Sequence, residues 1–173
     1  LIATRGEQRE FAAFRKDALE EALRKLFSEQ ADEELTQPEC LSVTLSHIYV
    51  KPTNDLPVIE ELLATGRLDI IREEGVRAAL LDQSEDTQAA VTIDIHQLGV
   101  EYPDLIESGY VFGSRDAQSR TRSTCNTAGM RANQQFLNTL VSNHQRFLVY
   151  YDAQFDSVDP NFDALLTALE EIQ

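Results

Sequence analysis

The stretch "VIEELLATGRLDIIREEGVRAALLDQ", Val58 to Gln83, decides how the chain is read. It holds two runs of apolar residues at helical spacing, joined by Thr65-Gly66-Arg67-Leu68-Asp69. Pro57 stands at the first turn of the first run, where its missing N–H costs nothing, and Asp55 precedes it as a candidate cap. Val58, Ile59, Leu62 and Leu63 then share one face. Gly66 falls where a helix stops on a left-handed residue. Leu68, Ile70 and Ile71 are expected to be buried in the link, with Asp69 capping the second helix and Glu73 and Glu74 set against its exposed amides. Arg77 is expected to pair with an acidic residue of the preceding helix or turn. The stretch therefore predicts two helices joined by a tight turn.

Helical spacing continues on both sides. From Gly6 to about Gln30, the residues Phe11, Phe14, Ala18, Leu19, Ala22, Leu23, Leu26 and Phe27 form an apolar pattern, and Glu20 and Glu21 precede Arg24 and Lys25 by four positions, the favourable order for surface ion pairs. Thr36 or Gln37 before Pro38 opens a short second helix carrying Leu41, Leu45, Ile48 and Tyr49, which "VKPTNDLP" ends. Beyond Ile71, the series Val76, Leu80, Thr87, Val91, Ile95, Leu98 and Tyr102 fits one long helix. A short strand within 89–102 is the rival reading, because Val91, Ile93 and Ile95 alternate with polar residues. Gly109 to Asn133 is rich in Ser, Thr and Gly and reads as a long connection. From Asn133, the residues Leu137, Leu140, Val141, His144, Leu148, Tyr151 and Phe155 make another helix, and Asp159-Pro160 starts the last one, with Phe162, Leu165, Leu166, Leu169 and Ile172. The expected fold is all-α: an antiparallel helical bundle of about five or six helices in a single domain, residues 1–173.

Composition narrows the function classes. With 15 Lys and Arg against 30 Asp and Glu, the net charge is −15, which opposes binding to nucleic acid or to an anionic lipid surface. An apolar content of 42% with 26% charged residues belongs to a folded chain. Cys40 and Cys125 lack ligand spacing for zinc. They either pair, which requires an oxidising compartment and close Cα atoms, or remain isolated thiols.

No pattern carries catalysis. His47, His96 and His144 stand in no HExxH or ExxH spacing, so neither a zinc hydrolase nor a di-iron bundle is expected, and no cofactor or metal is assigned. Phosphate-binding glycine loops are missing. What stands out is Arg115, Arg120, Arg122 and Arg131, gathered in an otherwise acidic chain. They are candidates for holding a small anionic ligand or an acidic partner, or for pairing with the protein's own carboxylates, which is the favoured reading. A groove near His144 and Tyr151 is the alternative ligand position. The rival to a non-catalytic protein is a soluble small-molecule enzyme that uses Cys125, a histidine or the connection 113–131.

Leu63, Gly66, Leu68, Ile70, Arg77, Leu80 and Leu81, within "ELLATGRLDIIREEGVRAALLD", resemble a segment of a family of uncharacterised bacterial single-pass membrane proteins. In that family a helical domain follows an N-terminal membrane helix. The resemblance implies a membrane-anchored domain outside the cytoplasm, with the anchor upstream of Leu1, in keeping with the apolar residues Leu1, Ile2 and Ala3. The family has no established activity to carry over; the function expected of this chain is an extracytoplasmic sensory or protein-interaction module, with an unidentified protein, a small anion or a second copy of the chain as candidate partner.

Overall fold

The computed structural model describes residues 2–29, 33–49, 57–85, 105–115 and 121–170. The chain is mainly helical, as its periodicity predicts, with a helical-bundle architecture and one small hairpin among the described residues. It falls into two compact units: Ile2–Val50 with Glu101–Val149, and Leu1, Lys51–Val100 and Tyr150–Gln173.

In the first unit, α1 (Ile2–Leu26) buries Ala12, Arg15, Leu19, Ala22 and Leu26, which step by three and four along one face. The apolar pattern of α1 is two-sided, and only one side meets the core. Phe11, Phe14 and Phe27 are about half exposed, contrary to the face expected from sequence. Arg15 enters the core in their place, held there by main-chain acceptors and an aromatic ring. Its guanidinium donates to the carbonyls of Leu45 and Ile48 and lies 4.9 Å from the ring centroid of Phe147. The expected surface pairs also shift: Arg24 bonds Glu21 at 2.7 Å, and Lys25 turns inward.

Lys25 places Nζ 2.9 Å from both carboxylate oxygens of Glu39, with both side chains largely buried. Glu39 belongs to α2 (Gln37–Thr44), which has Pro38 in its first turn as expected, and its Oε2 also accepts from the Thr36 amide at 2.8 Å, completing half of a capping box. One carboxylate thus starts a helix and neutralises a buried ammonium.

Within the predicted connection 109–133, the described residues 109–115 and 121–133 instead form a turn, two paired strands and a helix. Leu105–Ser108 forms a 3-10 turn, Gly109 takes φ +76°, and β1 (Val111–Arg115) pairs antiparallel with β2 (Thr121–Cys125), Gly113 opposite Ser123. Strands of five residues carry too little alternation to be read from sequence, and here only Val111 and Ser123 are deeply buried among those described. The outer side of β2 is closed by a side chain. The Gln37 amide, oriented to satisfy both bonds, donates to Ser123 O at 3.0 Å and accepts from Ser123 N at 2.9 Å. Asn126 then caps α5 (Thr127–Ala132) by accepting from the Gly129 amide at 2.9 Å, and α6 (Gln134–Tyr151) follows. Leu19, Ala22 and Leu26 of α1 pack with Val43, Met130, Leu137 and Leu140 in the core.

The second unit contains the stretch first quoted. α3 (Pro57–Ala64) ends as expected at Gly66, φ +65°, and the Arg67 amide bonds Leu62 O at 2.9 Å while the Gly66 amide bonds Leu63 O at 3.1 Å. That pair of bonds is a Schellman ending. The link differs from expectation. Leu68–Ile70 is a 3-10 turn with no buried residue, Asp69 lies inside it rather than capping, and Ile70 is exposed. Among the described residues, Arg77 pairs with no carboxylate. It donates to the carbonyls of Ile71 at 2.6 Å and Arg72 at 3.2 Å, the acceptors presented by the segment that leads into its own helix. α4 is described over residues 74–85. The rest of that long pattern, the rival strand within 89–102 and the candidate cap Asp55 lie outside the described residues. Val76 and Leu80 of α4 meet Leu165 of α7 (Asp159–Glu170), and Tyr151 packs on Phe155 of the π-turn Asp152–Asp156 with ring centroids 5.4 Å apart.

Replacing Glu39 with Ala removes both the Thr36 cap and the partner of a buried ammonium. The expected loss of unfolding free energy is about 2–3 kcal/mol, measured by urea denaturation. Glu21→Ala, at an exposed pair, should cost less than about 1 kcal/mol.

Candidate functional site

A pocket of about 270 Å³ opens in the first unit where the 3-10 turn, the start of β1 and the head of α6 converge. Its apolar wall is Leu105 and Phe136, both almost fully buried. Its polar wall is Tyr110 and Asn133, with Ser108, Gln135 and Thr139 around them.

Tyr110 is fixed from three sides. Its ring meets Phe136 edge-on with centroids 5.6 Å apart. The ring also lies against the backbone of α5: a Cβ added at Gly129 would sit 2.7 Å from the Tyr110 ring, so glycine is required there by close approach. Its hydroxyl accepts from Asn133 Nδ2 at 3.0 Å. Asn133 is itself held, because its Oδ1 accepts from the Phe136 amide at 3.0 Å and caps α6. Ser108 Oγ donates to Leu105 O and accepts from the Tyr110 amide at 3.3 Å, which closes the turn beneath the pocket. No described residue of this lining is charged.

A second polar cluster joins α6 to the end of α2. Asn143 is fully buried and donates from Nδ2 to Ser46 Oγ at 3.1 Å, while Tyr49 Oη donates to the Asn143 carbonyl at 3.4 Å. At the next residue, His144 Nε2 lies 3.8 Å from Glu20 Oε1, too long for a hydrogen bond and suited to an ion pair only when the imidazole is protonated. Burial pushes the His144 pKa below its ordinary value of 6.5, outweighing the attraction of Glu20, and Lys16 acts in the same direction as burial.

Of the residues named from sequence, Arg122, Arg131, His144 and Tyr151 are not among the residues that line the pocket. Arg131 donates to the carbonyls of Lys25 at 3.1 Å and Glu33 at 2.6 Å, so it closes the end of α1. Arg122 is exposed on β2, and Arg115 ends β1 opposite Thr121. Arg120 lies outside the described residues. His144 faces Glu20, whereas Tyr151 belongs to the second unit and packs on Phe155. Sequence reasoning passed over Tyr110, Asn133 and Gly129 because they lie in the segment taken as a connection. The available signal was the pair Asn126 and Asn133, each standing directly before a helix.

Cys40 and Cys125 form a disulfide with Cα atoms 5.8 Å apart, so neither is a thiolate nucleophile in this state. No group of three or more His, Cys, Asp or Glu able to hold a metal occurs among the described residues. Compared with protein-family models, curated proteins and solved structures, the chain matches none.

A histidine whose folded pKa is depressed takes up its proton more readily in the unfolded chain. Its contribution is therefore fully present above about pH 6.5 and is lost as pH falls below that value toward the lowered native pKa. Thermal melts at pH 7.5 and 5.5 should show a smaller acid-induced drop in Tm for His144→Gln than for the parent protein. Equal drops would mean that His144 is solvated in solution.

Proposed function

We propose that the chain is an extracytoplasmic sensory or protein-interaction module of a membrane-anchored bacterial protein, without catalysis of its own. The observation that supports this most is the Cys40–Cys125 disulfide. Disulfides persist in oxidising compartments and are rare in the reducing cytosol. This one closes a span of 85 residues, for which the chain-entropy relation gives about 4.5 kcal/mol of stabilisation. That is a large part of the ~5–15 kcal/mol by which a domain is stable, so a reducing compartment would leave the fold marginal.

The acidic body supports a protein or small-molecule partner over nucleic acid. No helix among the described residues is long and apolar enough to cross a membrane, so the anchor in this reading is a different segment. The competing enzyme that uses Cys125 needs a free thiol, which the disulfide removes.

Two measurements test the proposal. Alkaline phosphatase, which is active only after export, should be active when fused after Gln173 in the full-length protein; inactivity would place the chain in the cytoplasm. Cys40→Ser with Cys125→Ser should lower the denaturation midpoint by an amount equivalent to about 4 kcal/mol, and the reduced parent should match the double variant.

A further inference from the structure

We infer that the pocket beside Tyr110 is a binding site for a small uncharged molecule that presents a carbonyl oxygen next to an apolar or aromatic face. This deepens the sensory reading above and rests on it for its biological role, but the binding itself is tested separately from the compartment.

The argument starts from the Tyr110 hydroxyl. Its oxygen accepts from Asn133 Nδ2, so its own hydrogen is left to donate, and no described residue accepts it. The ring cannot swing to find another acceptor, because Gly129 and Phe136 confine it. The Asn133 carboxamide cannot turn over to offer its oxygen without releasing the α6 cap. The site therefore holds one preset donor, and what meets it must be an acceptor. Beside that donor Leu105 and Phe136, both almost fully buried, offer a small apolar edge on which one ring can rest.

Charge decides between a carbonyl and a carboxylate. Among the described residues the lining has no cation to pair with an anion and no carboxylate to pair with a cation. An ion entering the half-enclosed site would lose hydration without compensation, and the net charge of −15 adds a potential that repels anions. A neutral ligand avoids both costs. Size sets the class. At about 270 Å³ the pocket falls just below the ~300–1,000 Å³ of drug-sized sites, which suits a molecule the size of a single substituted ring.

Benzamide is the probe: a ring for Leu105 and Phe136, and a carbonyl for Tyr110. Titrated into the isotopically labelled, disulfide-intact protein, it should shift the amide resonances of Tyr110, Asn133, Gln135 and Thr139 together. Toluene and benzoate should each bind at least about fivefold more weakly. Tyr110→Phe keeps the ring and its packing but loses the donor, and should weaken benzamide about fivefold while leaving toluene unchanged. Thr139→Leu, which fills the mouth from the partly exposed side of α6, should weaken both. The inference is overturned if benzamide shifts other regions instead, if Tyr110→Phe binds it as well as the parent does, or if benzoate binds more tightly. A negative result here with an active exported reporter would remove the ligand and keep the compartment; the converse result would keep the ligand and remove the compartment.

Discussion

The first unit depends on one corner where distant parts of the chain are tied together by groups that are not apolar. The Cys40–Cys125 disulfide joins α2 to β2. Around it, Gln37 takes both main-chain groups of Ser123, the Leu35 amide donates to Thr127 Oγ1 at 3.3 Å, and Arg131 holds the carbonyls of Lys25 and Glu33. Lys25 and Glu39 complete the corner from the α1 side. Five ties therefore bring the end of α1 and the start of α2 against the hairpin and α5.

This corner is needed because the hairpin has little to hold it. A two-stranded ribbon is marginal alone, and this one is rich in Ser, Thr and Arg with no apolar face of its own. Among its described residues only Val111 joins the hydrophobic core deeply, with Cys125 packed at its edge. The disulfide limits the freedom of the unfolded chain, and the Gln37 amide acts as a third strand one residue long. The strand pairing in turn sets Tyr110, whose carbonyl accepts from the Asn126 amide at 2.9 Å. Tyr110 is then placed between α5 and the head of α6, where the pocket opens. Compartment and pocket are thereby linked: oxidation fixes the hairpin, and the hairpin fixes the donor.

Helices with their own stop and start chemistry were legible in sequence. Pro38 and Gly66 marked the start of α2 and the end of α3, and Asp159-Pro160 marked α7, because caps and left-handed endings are local and need no tertiary partner. Faces were less legible. Periodicity put Phe11 and Phe14 on the buried side of α1, but the core takes Arg15, whose burial depends on carbonyls thirty residues or more away. The hairpin was hidden for the same reason, since its support comes from α2 through Gln37 and Cys40. Pairing of the two cysteines was one of two open readings, because spacing alone fixes no Cα distance. Of the site residues chosen from charge, Arg131 holds main-chain carbonyls, while the described lining of the pocket consists of neutral residues that charge patterning does not flag.

The most direct test of the central claim is residue-resolved amide hydrogen exchange on the oxidised and the reduced protein. If the disulfide holds the hairpin, reduction should speed exchange at Phe112, Ser114, Arg122 and Thr124, which pair across the two strands, by at least about tenfold. Amides of α1 and α6 around Leu19, Ala22 and Leu140 should keep most of their protection, because the apolar core holds them. Unchanged exchange in the hairpin after reduction would contradict the claim.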